Sequence, residues 1–268
     1  MKDFLVVAQA EVTGSLEEED VLQFSFDHTK VAHLGHQLTE IDFQIRDYRT
    51  ILFCSINCAN LITRNANQFN NLRKGLILNK EFLYWNFYSS LIKNDWLLNN
   101  RYVMLPYHKI IDEKENFKKY FGERIFIRPN NPMKPFTGFD VRCDELEDEL
   151  DRMSKACSIA NYELCVIAPF KKLPLHEHRV WIVDSVPVTF ASYSWDKEAE
   201  KIQTSQKIID KAEEVAYYLK YNEDAFVIDL VEYDNEAKVV ELNALSCSGF
   251  YSGMNKQKLF DSINEIII

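Results

Sequence analysis

Two acidic residues and one asparagine near the end of the chain have a spacing that could bind a divalent cation. The segments Ala225–Tyr233 and Ala237–Ala244 are rich in apolar and β-branched residues, and residues 234–236 between them are turn formers. This pattern predicts a β-hairpin in which Asp229 lies opposite Glu241. Because side chains alternate between the two faces of a strand, three oxygen-bearing side chains project from the same face. They are Asp229, Glu241 and Asn243.

Such a face needs a cation, because directly opposed side chains have Cβ atoms roughly 4.5–5.5 Å apart and like charges at that distance destabilise a sheet. A few oxygen ligands suit Mg²⁺, which keeps several of its waters and commonly bridges to substrate phosphates. The alternative is a solvated edge hairpin whose carboxylates face water. The small-residue loop that follows favours a ligand site, since ligands approach the backbone at such loops. Within it, Ser248 and Tyr251 are candidates for substrate contact.

The composition limits the class of protein. The chain has 268 residues, of which 47% are hydrophobic and 27% charged, so it can bury a substantial core as one large domain or two smaller ones. Its formal charge of −10 disfavours general binding to duplex nucleic acid, since attraction to phosphates needs clustered Lys and Arg. Its 7 glycines are few for this length and argue against a glycine-rich phosphate loop.

The sequence shows no signal for a membrane or for export. No run of 18 apolar residues occurs, and the first residues have too short an apolar run for a signal peptide. We therefore expect a cytoplasmic protein with reduced cysteines. Cys54 and Cys58 are close in sequence, but no second cysteine pair or matching histidine completes a zinc set. Buried thiols are the better interpretation of this pair.

The first half of the chain is predicted to form a small α/β unit. Asp3–Ala10, Ile41–Ile45 and Thr50–Ile56 have strand-like apolar runs, and a helix is predicted from Ser55 to Arg64. The segment Phe82–Leu98 is dense in aromatic residues. A packed core helix is favoured there over a base-stacking surface, because basic residues are not interleaved with the rings.

A strand predicted at Arg124–Pro129 leads into a loop that could bind phosphate. Alternation along this strand places Arg124, Phe126 and Arg128 on one face. Two fixed cations with backbone donors suit a polyphosphate, through charge-assisted and bidentate contacts. The loop, residues 130–138, adds three candidates: Lys134, Thr137 and Gly138.

The segment Glu163–Phe170 is almost entirely apolar and is predicted to be a strand buried on both faces. Pro169 ends its hydrogen bonding and exposes backbone groups beside apolar side chains, which is what an adenine ring needs. In the strand that follows, His176 and His178 are interpreted as surface or packing residues, not as metal ligands. Three other residues share one face of that strand: Glu177, Arg179 and Trp181.

With these pieces in order, the chain from about residue 124 resembles the ATP-grasp superfamily. The resemblance is carried by a basic strand end (IRP), a phosphate-side loop (MKPFTG), a nucleotide-linking strand (VIAPFKK), the E-x-R strand (EHR), and DL followed by ELN. IRPNNPMKPFTG and ELNALSCSGFY are similar to the phage and bacterial clade named for one arginine and two lysines. The resemblance implies an α+β ATP-grasp fold, with antiparallel sheets and helices sandwiching a nucleotide. It implies a catalytic domain at 119–268, preceded by a small α/β domain at 1–118.

The resemblance also implies roles for individual residues. Arg128 stands where many members carry a phosphate-binding lysine, and Lys134 lies in the loop that covers the phosphates. Glu177 matches the ribose-binding acid, and Arg179 matches the arginine near the transferred phosphate and the acyl intermediate. Either Lys171 or Lys172 points inward beside the adenine-reading strand. The Mg²⁺ ligands are Asp229, Glu241 and Asn243. The nucleotide-contacting set is completed by Thr137, Gly138, Ala168, Phe170, Lys171 and Leu242.

By this resemblance the protein is expected to be an ATP-dependent carboxylate–amine ligase of a bacterial or phage-infected cell, with ATP and Mg²⁺ as cofactors. A carboxylate would take the γ-phosphoryl group of ATP, and an amine would then displace phosphate from the acyl-phosphate to form an amide. The acceptor could be a peptide, a protein or a small molecule. Two alternatives stay open: a non-catalytic ATP-binding adaptor or inhibitor, and a ligase that attaches an amino acid to a modified DNA base.

Overall fold

The structure, a computed structural model, describes residues 4–14, 16, 21–25, 31–157, 159–194, 202–220 and 222–266. Helices and mostly antiparallel strands alternate along these ranges, as expected for an α+β protein. The strands are β1 (Phe4–Gln9), β2 (Val21–Phe24), β3 (Arg49–Phe53), β4 (Val103–Pro106), β5 (Arg124–Pro129), β6 (Phe139–Arg142), β7 (Leu164–Pro169), β8 (His176–Val183), β9 (Val186–Ser194), β10 (Ala225–Tyr233) and β11 (Glu236–Ala244). The α-helices are α1 (Ala10–Thr13), α2 (Val31–Gln44), α3 (Ile56–Arg64), α4 (Asn70–Lys74), α5 (Trp85–Leu91), α6 (Lys114–Phe121), α7 (Leu146–Cys157), α8 (Gln206–Leu219) and α9 (Lys256–Ile266).

The N-terminal sheet has the strand order β2-β1-β3, and all its pairs are parallel. Its strands are apolar on both faces because both faces are covered. Val7 packs toward the core formed with α2, α3 and α4, whereas Val6 and Ala8 pack toward α9 and the C-terminal sheet. The expected α/β unit is therefore present, and the helix α3 begins after Ser55, whose side chain accepts a hydrogen bond from the backbone N–H of Cys58.

The prediction of a strand at Ile41–Ile45 is wrong, because this segment forms the end of α2 and the turn after it. The buried hydrophobic residues there are Leu38, Ile41 and Ile45. Their separation of three and four positions is the helical period, and it becomes visible only when the window is extended toward the N-terminus.

The middle sheet has the order β4-β7-β5-β6, and its three strand pairs are antiparallel. The helices α6 and α7 cover one face, where Ile125 and Ile127 of β5 pack against Leu146 and Leu150 of α7. The strand β4 lies before the expected domain boundary at residue 118 and pairs with β7, which lies after it. The division at residue 118 stays a prediction.

The C-terminal sheet has the order β11-β10-β8-β9 and is covered on both faces. On one face, α8 and α5 form a core that includes Trp85 and Tyr88, each only 1% exposed. This confirms that the aromatic segment Phe82–Leu98 packs into a core, although only Trp85–Leu91 of it is an α-helix. On the other face, Trp181 and Val227 pack against α9 and the N-terminal sheet. The candidate site lies on this second face.

The β10–β11 hairpin differs from the predicted one in two places whose effects cancel. The prediction of a three-residue loop is wrong, because Tyr233 pairs with Glu236. The turn consists of Asp234 and Asn235, with φ of 51° and 66°. Two left-handed residues are the signature of a tight type I′ turn. An irregularity in the pairing between positions 229 and 230 then leaves Val240 as an extra residue in β11.

Because of that extra residue, Asp229 still pairs with Glu241 and Val227 with Asn243, as predicted. The register at the candidate site is therefore confirmed, although the turn is one residue shorter than expected.

Across the ranges that the structure describes, no helix is long and apolar enough to cross a membrane.

Candidate active site

Asp229, Glu241 and Asn243 converge on one face of the C-terminal sheet. The amide nitrogen of Asn243 donates to Oδ2 of Asp229 and to Oε1 of Glu241, at 3.1 Å in both cases. Asp229 is only 1% exposed, and the Glu241 side chain is 14% exposed. Two carboxylates this close and this far from water need positive charge beside them.

Arg179 supplies that charge to Asp229. The two residues are paired across β8 and β10, and the guanidinium grips the carboxylate as a fork, with Nε to Oδ1 at 2.8 Å and Nη2 to Oδ2 at 2.7 Å. Burial alone would lower the pKa of Arg179, but the Asp229 carboxylate outweighs burial and raises that pKa above its ordinary value. A planar fork of this kind fixes orientation as well as charge.

Glu241 is held by two cations from the middle sheet and the loop after it. Nη2 of Arg128, on β5, lies 2.9 Å from Oε2, and Nζ of Lys134 lies 3.1 Å and 3.2 Å from the two carboxylate oxygens. Burial of Glu241 disfavours its charged form, but Lys134 and Arg128 outweigh burial and hold the pKa of the carboxyl well below its ordinary value. The site is thus assembled where two sheets meet.

The loop at residues 130–138 presents Lys134 in a strained backbone conformation. Lys134 has φ of 44°, in the left-handed region that non-glycine residues rarely adopt. Its N–H donates to the carbonyl of Asn131 at 3.0 Å, and the side chain of Asn131 accepts from the N–H of Met133 at 2.9 Å. The loop therefore holds Lys134 over Glu241, while Thr137 in the same loop is exposed.

Close packing against β5 requires a glycine at position 138, which the sequence alone did not indicate. A Cβ at this position would lie 2.6 Å from Cζ of Phe126 and 3.3 Å from Cβ of Arg128. Only glycine lets the loop pass so close to the face of β5 that carries Arg128. That face, with Arg124, Phe126 and Arg128, is the predicted one, since Ile125 and Ile127 are buried on the other.

The strand β7, which is predicted to contact adenine, is buried as expected, but one backbone group at its end already has a hydrogen-bond partner. Ala168 is fully buried in β7. The N–H of Phe170 donates to the carbonyl of Arg124 at 3.2 Å, so pairing with β5 continues one residue beyond Pro169. This corrects the expectation that Pro169 frees the whole strand end.

Lys171, not Lys172, is the lysine that points inward. Its ammonium donates to the carbonyl of Leu98 and lies 5.3 Å from the ring of Tyr233, and burial lowers its pKa. Lys172 is exposed. The choice that the sequence left open is therefore resolved by the fold.

Two predicted site residues face away from the cluster. Leu242 is 1% exposed and packs in the core on the opposite face, because it lies between Glu241 and Asn243 in an alternating strand. Ser248 is 2% exposed, and its hydroxyl donates to the carbonyl of Ala244 at 2.9 Å. This bond ties down the loop after β11, so the structure does not present the Ser248 hydroxyl to a substrate.

Tyr193 is a member of the cluster that sequence reasoning missed. Its hydroxyl donates to Oε2 of Glu177 at 2.8 Å, and its ring stacks on Tyr251 with centroids 4.4 Å apart and planes 10° apart. The guanidinium carbon of Arg179 lies 4.8 Å from the Tyr251 ring. The expected common face of Glu177, Arg179 and Trp181 is present. The missing signal was the β8–β9 register, which pairs Glu177 with Tyr193.

The donor set suits a hard divalent cation. Within the described ranges no group of three or more histidine, cysteine, aspartate or glutamate side chains is arranged to hold a metal, so the candidate ligands are two carboxylates and one amide. The Asn243 amide points its nitrogen at both carboxylates. Half a turn of the amide presents the oxygen instead, and the resulting all-oxygen set fits Mg²⁺ that keeps some of its waters.

A separate cavity of about 680 Å³ lies between β4 and α6, on the far side of the middle sheet. Tyr102, Val103, Phe117 and Tyr120 are among its lining residues. None of the cations or carboxylates described above lines it.

Comparison with known proteins agrees with this architecture. The family described as ATP-grasp domain, R2K clade family 3, matches residues 105–263. The chain is similar to D-alanine–D-alanine ligase from Bacillus anthracis in complex with ATP, with a TM-score of 0.56 and 13% identity over 97% of this chain and 92% of the ligase. At such identities the likeness shows the fold alone. A comparison with curated proteins gave no match.

Two further structures show the same fold. A RimK domain ATP-grasp protein from Sphaerobacter thermophilus has a TM-score of 0.53 and 12% identity, over 98% of this chain and 99% of that protein. The ATP-grasp ligase PsnB, in complex with a minimal precursor, Mg and ADP, has a TM-score of 0.50 and 13% identity, over 98% of this chain and 96% of that one.

Proposed function

Because the chain belongs to the ATP-grasp domains of the R2K clade, family 3, we propose that it is an ATP-dependent ligase that joins a carboxylate to an amine. In the first step a substrate carboxylate oxygen attacks the γ-phosphorus of ATP, forming an acyl-phosphate and releasing ADP. In the second step the amine nitrogen attacks the acyl carbon, phosphate leaves, and the amine loses a proton. The products are an amide, ADP and phosphate.

The observation that carries this proposal is the cluster of two carboxylates and three cations where the middle and C-terminal sheets meet. Asp229 and Glu241 contribute two negative charges, and Arg128, Lys134 and Arg179 contribute three positive charges. The net positive charge favours an anion. Phosphoryl transfer needs mainly positioning and electrostatic stabilisation, and this cluster supplies both without a protein nucleophile.

Each residue of the site is assigned a role in this reaction. Asp229, Glu241 and Asn243 hold Mg²⁺, which when bound neutralises charge on the phosphoryl oxygens. Arg128 and Lys134 bind the phosphates, and Arg179 orients the oxygens of the transferred group through its fork. Glu177 accepts hydrogen bonds from the ribose, Tyr251 contacts the carboxylate substrate, and the backbone around Phe170 contacts the adenine. Thr137, with its exposed hydroxyl, is a further phosphate contact.

Nucleotide binding exchanges partners within this cluster. The carboxylates now pair with protein cations, at distances from 2.7 Å to 3.2 Å. With a triphosphate bound, these cations would pair with its phosphate oxygens, and the two carboxylates would hold Mg²⁺. Neither set of charges is then left unpaired at any stage, which avoids the large penalty of an isolated buried charge.

A peptide or protein acceptor is the substrate class we favour, since the PsnB ligase of the same fold is in complex with a precursor. Because the reaction consumes ATP, we propose a location in the cytoplasm of a bacterium or a phage-infected cell. A non-catalytic ATP-binding adaptor is the second candidate, but a pure binder gains little from two opposed buried acids. Attachment of an amino acid to a modified DNA base is disfavoured by the net charge of −10.

The test is to incubate the protein with ATP, Mg²⁺ and bacterial extract, and to follow ADP release and new masses by mass spectrometry. The proposal predicts ADP release that depends on the extract, together with a product whose mass equals that of acid plus amine minus water. Binding of ATP without ADP release in any amine and carboxylate pool would instead support the adaptor.

A further inference from the structure

Tyr193 connects three parts of the candidate site. Its hydroxyl donates to Glu177 at 2.8 Å, its ring stacks on Tyr251 from the loop after β11, and the Arg179 guanidinium lies 5.9 Å from the same ring. Tyr193 and Glu177 are directly paired across β8 and β9. The tyrosine thus joins the acid on β8 to the loop that follows the metal-ligand strand.

The geometry fixes the direction of the tyrosine hydroxyl. The flat stack on Tyr251, with the ring planes 10° apart, leaves the Tyr193 ring little freedom to rotate. Burial raises the pKa of Tyr193 far above its ordinary value, and the charges of Asp229 and Glu177 add to the shift. The hydroxyl therefore stays protonated and remains a donor at neutral pH.

We propose that Tyr193 is a positioning residue that aims the Glu177 carboxylate at the ribose hydroxyls, and so sets the preference for a ribonucleotide over a deoxyribonucleotide. This inference rests on the ribose role given to Glu177 in the proposed function. An ionised carboxylate has about four lone-pair sites, so a bond from Tyr193 leaves capacity for ribose hydroxyls. Acidic side chains read ribose hydroxyls in this way in dinucleotide-binding folds.

Tyr193 restricts the conformational freedom of the Glu177 side chain. A glutamate has three side-chain torsions, and ordering it costs entropy each time a ligand binds. A bond from a rigid tyrosine removes that freedom before the nucleotide arrives, which is preorganisation. A hydrogen bond to a charged group is worth enough to change binding about tenfold.

The experiment measures the dissociation constants of ATP, 2′-deoxy-ATP and 3′-deoxy-ATP by calorimetry in the presence of Mg²⁺. Four proteins are compared: the wild type, Tyr193→Phe, Glu177→Gln and the double variant. The Phe variant keeps the ring and its stack, and melting curves check that each variant folds. Tyr162→Phe, at a tyrosine that is 82% exposed, is the matched control.

We expect wild type to bind ATP more tightly than at least one deoxynucleotide, and Tyr193→Phe to lose about tenfold of that preference. In the Glu177→Gln background the same substitution should have no further effect on the preference, because Tyr193 acts through Glu177. Tyr162→Phe should leave the preference unchanged.

Three results would overturn the inference. In the first, Tyr193→Phe keeps the wild-type preference. In the second, Tyr193→Phe lowers the preference for ATP over the deoxynucleotides equally in the wild-type and Glu177→Gln backgrounds. In the third, the wild type binds all three nucleotides equally, which removes the ribose role while leaving the ligase proposal intact. A wild type that binds no ATP at all would overturn both proposals together.

Discussion

Asp229 lies directly opposite Glu241 on neighbouring strands, yet the two carboxylates are neutralised from different directions. Asp229 is gripped by Arg179 of its own sheet, whereas Glu241 is held by Arg128 and Lys134 from the middle sheet and its loop. The first pair is internal to one sheet, and the second joins two sheets. Loss of the Asp229 ion pair should therefore mainly change stability, whereas loss of the Glu241 ion pairs should mainly change ligand binding.

Replacing Arg179 by Met should destabilise the protein strongly. Asp229 would stay buried beside Glu241, with the Asn243 amide still donating to it but no guanidinium, and breaking a buried ion pair typically costs about 3–5 kcal/mol. Arg124→Met is the matched control, because its pair with Asp140 is half exposed and worth about 0–1 kcal/mol. Urea unfolding at neutral pH measures both. Equal losses for the two variants would contradict the assigned role of the fork.

Gly138→Ala should weaken both the fold and nucleotide binding. The new methyl would press on Phe126 and on Cβ of Arg128, and overpacking of this kind costs about 1–3 kcal/mol. Gly35→Ala is the control, since an added Cβ at this position would have no neighbouring atom within 4 Å. Gly35 lies inside α2, where Ala is more favourable than Gly by about 0.5–1 kcal/mol. Unfolding free energy and ATP affinity should fall only for Gly138→Ala. A neutral Gly138→Ala would show that the loop moves freely over β5.

His178 should make the protein lose stability on mild acidification. It is 3% exposed and bonded through Nδ1 to Ser192 at 2.8 Å, which confirms its interpretation as a packing residue. Burial lowers the pKa of His178, with Glu232 opposing the shift and His176 adding to it. Because the folded pKa lies below the unfolded value of about 6.5, the contribution is present above that pH. It is lost as the pH falls toward the folded pKa.

Unfolding measured between pH 7.5 and pH 5 should therefore show a loss of at most about 1.4 kcal/mol per pH unit from this group. His178→Asn should remove that part of the slope, whereas His36→Asn, at an exposed helix position, should not change it. An unchanged slope in His178→Asn would mean that the acid sensitivity arises elsewhere.

Lys134→Met should shift metal and nucleotide binding in opposite directions. In the structure the Lys134 ammonium competes for both oxygens of Glu241. Without it, Mg²⁺ alone should bind more tightly, while ATP should bind more weakly because one phosphate contact is lost. Calorimetry with each ligand separately and then together checks this. If both affinities fall, or both rise, the exchange of partners is wrong.

The sequence was sufficient where local rules decide the outcome. Alternation along β10 and β11 placed Asp229 and Glu241 face to face, and the same rule put Arg128 on the face of β5 opposite to Ile125 and Ile127. The register survived because an error of one residue in the turn was offset by the extra residue Val240. Neither the two-residue turn nor the irregular pairing can be read from alternation, since the flanking residues fit both loop lengths.

The rest depended on contacts between segments far apart in sequence. Lys171 turns inward because Leu98 and Tyr233 meet it there, and Tyr193 joins the site only through the pairing of β8 with β9. Ser248 lies in the small-residue loop after the polar end of β11, which suggested a substrate contact, but its hydroxyl donates to the carbonyl of Ala244 instead. In each case the deciding partner lies on another element.

The most direct test of the account is ADP release by Glu241→Gln, compared with wild type and with Glu147→Gln on the exposed face of α7. Gln keeps the size of the side chain but removes the negative charge that Mg²⁺ and the cations share. With Mg²⁺, ATP and an extract that supports turnover, the account predicts that Glu241→Gln remains folded and loses at least about a hundredfold in ADP release. Glu147→Gln should match wild type. ADP release by Glu241→Gln at the wild-type rate would contradict the assignment of this cluster as the site of phosphoryl transfer.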